Sequence, residues 1–224
     1  MPLPFLIVIA VASLLVGTAI GSNWDAIVVK FKGKKLAVLG ARGVGKTHLV
    51  KFLATGSIPN DYKQTVAPEK SSSRRFQLKD LDLNVKESLD VSGDKAAYAE
   101  WKELHDQADL VFYLMRADKL IAGDRDVEAR ASEDLAHIGT WLESRKSRPL
   151  FFIIGTHCDL DVEFCSLTDD RIGDYVDRFR RLPIVMELVA RGGGSQQAKV
   201  VLGSMKTVGD TEALVYEIFR QVTA

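Results

Sequence analysis

The sequence has few cysteines and no excess of charge of either sign. Its two cysteines are Cys158 and Cys165, and the six residues between them do not match the paired spacing of a zinc site. Two cysteines are also too few for a disulfide framework, so we expect reduced thiols in a cytosolic compartment. The 30 basic and 30 acidic residues balance. No overall field therefore attracts the chain to nucleic acid, and we predict no nucleic-acid partner.

The first 22 residues lack any charged side chain. The stretch from Leu3 to Ile20 is almost wholly apolar and, as one helix, would span roughly 27 Å of hydrocarbon. It predicts a transmembrane anchor at residues 1–22, followed by a juxtamembrane linker at 23–33. A signal peptide cut at Ser22 is the alternative, but no Lys or Arg precedes the apolar run. The lysines that follow it favour a single-pass membrane protein with its domain in the cytoplasm.

Residues 34–224 are predicted to form one α/β domain. Apolar runs of strand length lie at 34–40, 108–115, 149–154 and 199–203, and further strand candidates lie around 73–78 and 83–89. Helical spacing occurs at 47–56, between the second and third apolar runs, at 169–191, and in a closing segment with Asp210 as its predicted N-cap. Strands that alternate with helices indicate a mostly parallel sheet flanked by helices on both faces.

The segment GARGVGKT at residues 40–47 has the spacing of a phosphate-binding loop. Glycines let such a loop adopt positive φ and bring backbone N–H groups close to a phosphate chain. Lys46 would reach the β- and γ-phosphates, and the hydroxyl of Thr47 would bind Mg²⁺. The predicted nucleotide contacts are Gly40, Ala41, Arg42, Gly43, Val44, Gly45, Lys46 and Thr47. The loop alone does not identify the base, because any P-loop nucleoside triphosphatase could carry it.

Ligands bind at the carboxyl ends of parallel strands, so the residues after each apolar run are the next candidates. In DVSGD, Asp90 could hold Mg²⁺ through water, and the N–H of Gly93 could meet a γ-phosphate. Asp159 follows the third long run and could accept from both the N1–H and the N2–H₂ of a guanine. Ser204 and the backbone N–H of Met205 could approach O6 of the same base.

The ordered motifs resemble those of the Ras superfamily of small GTPases. They are GARGVGKT, a loop threonine, DxxG, TxxD and SxK, and the resemblance covers residues 34–222. It implies a three-layer P-loop GTPase fold with GTP or GDP as ligand and Mg²⁺ as cofactor. Thr65 lies 19 residues after Lys46, where Ras-type proteins keep the switch threonine that contacts Mg²⁺ and the γ-phosphate. The resemblance also assigns four residues to the base-binding motifs: Thr156, Asp159, Ser204 and Lys206.

Two wider features resemble particular branches of this superfamily. The segment DVSGDKAAYAEW, which ends at Trp101, is similar to the DVGGQ-to-Trp stretch of Arf proteins. An Arf-like domain behind an apolar anchor is similar in layout to the beta subunit of the signal recognition particle receptor. Layout alone does not transfer that function.

Three positions depart from the pattern of the family. His157 replaces a lysine whose stem lies over the base, and its imidazole could either stack there or belong only to the loop. Asp94 replaces the glutamine that orients the attacking water, a role that an acceptor-only carboxylate cannot play unchanged. Arg42 replaces a glycine, and its side chain could fold into solvent or act at the γ-phosphate as an arginine finger in cis. The catalytic candidates are therefore Arg42, Thr65 and Asp94.

These features predict a membrane-anchored GTP-binding molecular switch that hydrolyses GTP slowly and recruits a cytosolic protein effector. Its expected partners are GTP or GDP and, through residues 3–20, the membrane. A non-hydrolysing, nucleotide-dependent membrane scaffold is the alternative from another class. An ATPase or kinase is disfavoured by Asp159 and by the lack of a phosphoacceptor motif.

Overall fold

The computed structural model describes residues 34–55, 95–168 and 170–223. The predicted anchor and linker, residues 1–33, lie outside this part of the chain, as do the strand candidates at 73–78 and 83–89. Among the described residues, no helix is both long enough and apolar enough to cross a membrane.

Four parallel strands form the sheet of the described residues. They are β1 (Leu36–Gly40), β2 (Leu110–Arg116), β3 (Leu150–Thr156) and β4 (Ala198–Leu202), and they lie side by side in chain order. Almost every strand residue is buried, which is why the sequence shows continuous apolar runs rather than alternation. The predicted parallel sheet is confirmed.

Helices cover both faces of this sheet. They are α1 (Lys46–Thr55), α2 (Lys95–Gln107), α3 (Ala117–Ile121), α4 (Arg125–Ser144), α5 (Val162–Ser166), α6 (Ile172–Arg180), α7 (Pro183–Arg191) and α8 (Val208–Thr223). One apolar core lies between the sheet and α1 and α8, and a second lies under α2, α4, α6 and α7. Neighbouring residues of β1 alternate between the two cores, with Val38 in the first and Leu39 in the second. The predicted three-layer arrangement is confirmed for the described part of the chain.

Two helix predictions are wrong in detail. The single helix expected at 169–191 is two helices, because Pro183 lacks an N–H and begins α7 as its first residue. Asp210 is not the N-cap of α8. Thr207 caps it: its hydroxyl oxygen accepts from the N–H of Asp210 at 3.1 Å, and the Asp210 carboxylate accepts from the N–H of Thr207 at 3.2 Å. Asp210 is therefore the second member of a capping box.

Asp134 on α4 is a fully buried carboxylate that links three elements. One of its oxygens accepts from the hydroxyl of Tyr98 on α2, and the other accepts from the hydroxyl of Tyr113 on β2, each at 2.9 Å. The Nε of Arg130 also donates to Asp134 at 2.9 Å, and its guanidinium lies over the rings of Tyr98 and Trp101. These hydrogen bonds connect α2 to α4 and, through Asp134, to the sheet.

His105 is a fully buried histidine at the end of α2. Its Nδ1 lies 3.4 Å from a carboxylate oxygen of Asp106, and its Nε2 has no hydrogen-bond partner among the described residues. Its ring packs near that of Trp141. Burial lowers the pKa of His105, and the contact with Asp106 opposes that shift only in part. The ring is therefore neutral at pH 7 and packs beside Trp141.

We expect the folded domain to lose stability in mild acid. Because the pKa of His105 is lower in the folded state than its unfolded value of about 6.5, its stabilising contribution is present above that pH. It is lost as the pH falls through the folded pKa, by up to about 1.4 kcal/mol per pH unit. Urea unfolding of the chain without residues 1–22, at pH 7.5 and 5.5, should show a smaller loss for His105→Leu than for the unmutated chain. Equal losses would contradict this assignment.

Candidate nucleotide-binding site

The loop from Gly40 to Thr47 joins the end of β1 to the start of α1. Gly40, Gly43 and Gly45 have φ values of +141°, +76° and +94°, which side chains rarely tolerate. A Cβ at Gly40 would also lie 2.4 Å from the carbonyl oxygen of Leu114 on β2. The backbone therefore has the tight, glycine-dependent course that the motif predicts.

Lys46 is curled into this loop rather than extended into solvent. Its Nζ donates to the carbonyl oxygens of Gly40 and Ala41, both at 2.7 Å, and the residue is buried. Helix α1 begins at Lys46, so the positive end of its dipole also faces the loop. An ammonium group and a helix N-terminus directed at one loop make a site for a phosphate chain.

Thr156 joins the phosphate loop to the end of β3. Its buried hydroxyl is 3.0 Å from the carbonyl oxygen of Val44 and 3.2 Å from that of Met115 on β2, and it donates to this pair. Its oxygen lies 2.8 Å from Nδ1 of His157. The hydroxyl of Thr156 thus holds the phosphate loop against the sheet, and the predicted contact of Thr156 with a nucleotide stays a prediction.

His157 has the one positive φ among the described non-glycine residues, at 62°. Because the hydroxyl of Thr156 has its single hydrogen directed at carbonyl oxygens, Nδ1 of His157 must donate to it. Burial lowers the pKa of His157, and the positive charge of Arg116 lowers it further. These contacts indicate a neutral ring protonated at Nδ1 and half-buried beside the site.

Asp159 and Ser204 are 45 residues apart in the chain and meet at the carboxyl edge of the sheet. The Ser204 hydroxyl donates to Asp159 Oδ1 at 2.7 Å and accepts from the backbone N–H of Lys206 at 3.0 Å. This chain of hydrogen bonds orients the carboxylate. The two residues predicted to recognise a base are therefore brought together, and the side chain of Lys206 is exposed beside them.

Met205 has a packing role that the sequence does not reveal. Its backbone was predicted to approach the base, but its side chain lies under the phosphate loop, where a Cβ at Gly45 would be 2.3 Å from its Cε. The loop after β4 therefore supports the loop after β1. Only folding brings these two strand ends together.

The end of β2 carries an ion pair that we did not predict. The guanidinium of Arg116 donates from Nε to Asp118 at 2.8 Å, and its pKa is raised by this hydrogen bond. The negative charge of Asp159 raises it further. The sequence signal was available, because RAD at 116–118 follows an apolar run just as the other motifs do.

The cysteines flank the base-recognition loop and form no disulfide. Burial raises the pKa of the Cys158 thiol to about 12, so this thiol is unreactive at neutral pH. Cys165 is exposed, and its Sγ donates to the carbonyl oxygen of Asp159 at 3.3 Å. Both are free thiols, as the sequence predicts.

Arg42 lies on the outer side of the phosphate loop. Its side chain is exposed and makes no hydrogen bond or ion pair with any residue that the structure describes. It borders a cavity of about 210 Å³ between the loop, the end of β2 and α4. Ala41, Arg42 and Val44 of the phosphate loop line this cavity together with Arg116, whereas Asp159 and Ser204 do not.

The predicted Mg²⁺ ligands are only partly described. Thr47 is exposed on the first turn of α1, where its hydroxyl is available to an ion beside the loop. Thr65, Asp90, Gly93 and Asp94 lie outside the described residues and stay predictions. Among the residues that are described, no cluster of three or more His, Cys, Asp or Glu side chains could hold a metal.

Comparison with known proteins supports the fold. A solved structure similar to this chain is that of an ADP-ribosylation-factor-like GTP-binding protein, the small COPII coat GTPase SAR1 of Encephalitozoon cuniculi, in complex with GDP. It has a TM-score of 0.54 and 15% sequence identity, and the match covers 89% of this chain and 83% of that one. No family model and no curated protein matches the sequence. The chain therefore has a fold similar to that of this small GTPase.

We expect Thr156→Val to weaken nucleotide binding about tenfold, or by about 1–2 kcal/mol, because Val44 and His157 lose their hydrogen-bond partner. Valine keeps the shape of threonine, and Thr156→Ser, which restores the hydroxyl, should retain most of the affinity. Titration of a fluorescent GDP analogue measures both variants. Equal affinities of the Thr156→Val and Thr156→Ser variants for the GDP analogue would show that the hydroxyl does not position the loop.

Proposed function

We propose that the chain is a membrane-anchored GTP-binding switch that hydrolyses GTP slowly and recruits a cytosolic protein. The observation that carries this proposal is the hydrogen bond between Ser204 and Asp159 at the edge that also holds the phosphate loop. A carboxylate at one end of the site and an ammonium group with a helix N-terminus at the other suit the two ends of one nucleotide. The solved structure similar to this chain is in complex with GDP, which supports the same assignment.

The base that Asp159 suits is guanine. A carboxylate accepts two hydrogen bonds but donates none, and guanine presents two adjacent donors at N1 and N2. Adenine presents an acceptor at N1, which would face the carboxylate unfavourably. Ser204 holds Asp159 in one orientation, and this preorganisation favours paired recognition over a loose contact.

Mg²⁺ fits the oxygen ligands proposed for this site. Thr47, Thr65 and Asp90 offer hydroxyl and carboxylate oxygens, which Mg²⁺ prefers together with phosphate oxygens and water. Bound there, the ion would neutralise negative charge on the β- and γ-phosphates. We propose that Thr65 and the N–H of Gly93 contact the γ-phosphate and lose that contact after hydrolysis, which would change the affinity for a partner.

Slow hydrolysis follows from two side chains. Asp94 stands where a water-orienting glutamine is usual, and its negative charge would repel the charge that develops in the transition state. Arg42 has no bonding partner in the described part of the chain, which is consistent with a side chain that extends into solvent. An arginine finger in cis requires this side chain to turn inward, a movement that its exposure permits.

Membrane attachment through residues 3–20 completes the proposal. The apolar length of this segment and the lysines after it support a single-pass anchor with the domain in the cytoplasm. The layout is similar to that of the beta subunit of the signal recognition particle receptor. The alternative function is a non-hydrolysing scaffold that binds nucleotide and recruits a partner, and Asp94 is the residue that favours it.

We expect Asp159→Asn to remove the preference for guanine. An amide N–H₂ would face a base donor, and the unpaired groups should cost about 2–4 kcal/mol of GTP affinity. Asp161→Asn is the matched control, because Asp161 caps α5 and accepts from Tyr175 instead of approaching the base. Competition of GTP and ATP for the site measures the preference. Equal affinity of the unmutated chain for GTP and ATP would contradict guanine recognition.

We expect slow single-turnover hydrolysis of GTP that becomes faster in Asp94→Gln, because a glutamine can both donate to the transition state and orient water. Arg42→Gly should change the rate little if the arginine side chain stays in solvent. Fast hydrolysis that is lost in Arg42→Gly, by a factor of about 10³ or more, would instead establish a finger in cis. Tight GTP binding with no turnover in any variant would favour the scaffold.

A further inference from the structure

The amino-terminal ends of the strands form a second edge, opposite to the nucleotide site. Leu36, Leu110 and Leu150 are paired in one row, and Phe151 is paired with Ala198. With strands about 4.8 Å apart, the four strand starts span about 14 Å. The residues just before them therefore share one small surface, which we call the amino-end edge.

Basic side chains crowd this amino-end edge. Lys34 and Lys35 precede β1, and Lys146 and Arg148 precede β3. All four are exposed, and none is in an ion pair with any described residue. Two further cations at this edge are bonded to carbonyl oxygens: Arg145 to the end of α2 and Lys199 to Ser195.

Few carboxylates offset these charges. Asp106 and Glu143, near the ends of α2 and α4, are each in an ion pair with a basic side chain. Glu103 and Asp109 are exposed and have no ion pair within the described part of the chain. Asp109 accepts from the backbone N–H of Lys35 at 2.8 Å. Among the described residues of this edge, the four cations without an ion pair thus outnumber the two carboxylates without one.

The same edge is where the chain arrives from residues 1–33. Lys34 is the first described residue, and β1 begins two residues later at Leu36. Only 11 residues separate Ser22 from Lys34, a length that reaches at most about 40 Å when extended. If residues 3–20 lie in a bilayer, the domain is tethered through its most basic edge. The nucleotide site then faces away from the lipid.

We propose that the amino-end edge docks on anionic lipid headgroups of the membrane that holds the N-terminal segment. This inference rests on the membrane attachment proposed above and adds an orientation of the domain to it. Each basic residue near an anionic surface strengthens binding by roughly fivefold, and the effect extends about one Debye length. Lys146 and Arg148 are the informative residues, because they are remote in sequence from the anchor and reach the surface only through the fold.

The test uses the full chain with GDP in lipid nanodiscs of phosphatidylcholine alone or with 30% phosphatidylserine. Labelling of lysine amines, resolved by mass spectrometry, should fall at least about fivefold at Lys146 in the anionic discs. Labelling of Lys206, at the opposite edge, should be the same in both. Raising the salt from 0.1 M to about 0.5 M should restore labelling of Lys146. Equal labelling of Lys146 in both discs would overturn the proposal.

Charge-reversal variants distinguish docking of the amino-end edge from attachment through the N-terminal segment. Lys146→Glu with Arg148→Glu should abolish the protection of Lys34 and Lys35 that depends on anionic lipid, whereas Lys119→Glu with Arg171→Glu, two exposed reversals elsewhere, should keep it. Protection that survives the edge variant would contradict docking. Release of the full chain from neutral discs would contradict the proposed membrane anchor but not the docking of the amino-end edge. Binding to anionic over neutral vesicles, lost in the edge variant, would then still decide the inference.

Discussion

The parallel direction of all four described strands is the constraint on which the site depends. Because the strands run the same way, every connection must cross back over a face of the sheet, and all carboxyl ends meet at one edge. This geometry brings Lys46 at the end of β1 into the same edge as Asp159 after β3 and Ser204 after β4. No single loop contains all of the candidate nucleotide site, and the sheet brings its parts together from three loops.

The loops are held together by contacts among themselves as well as by the sheet. Thr156 bonds the carbonyl oxygen of Val44, and Met205 packs under Gly45, so the loops after β3 and β4 both support the phosphate loop. Ser204 in turn orients Asp159.

The two edges of one sheet have different chemistry for the same topological reason. The loops of the candidate nucleotide site follow the carboxyl ends of the strands. The residues that precede the strands lie at the amino-end edge, and four of them are cations with no ion pair among the described residues. A tether that arrives at β1 reaches the second edge by necessity. The proposed orientation at a membrane and the proposed access to nucleotide would thus both depend on a single parallel sheet.

The sequence by itself determined the four described strands, most of the described helices and the phosphate loop, because buried parallel strands give continuous apolar runs and positive φ requires glycine at fixed spacing. It also indicated Asp159 and Ser204, which follow such runs. It did not reveal that Thr156 holds the phosphate loop or that Met205 packs beneath it, because these contacts join residues more than 100 positions apart. Pro183, which divides a helix, and the ion pair of Arg116 with Asp118 are local features whose sequence signals the prediction did not use. Hydrophobic periodicity shows only which face of a helix or strand a residue occupies. The tertiary structure decided which other residue it contacts on that face.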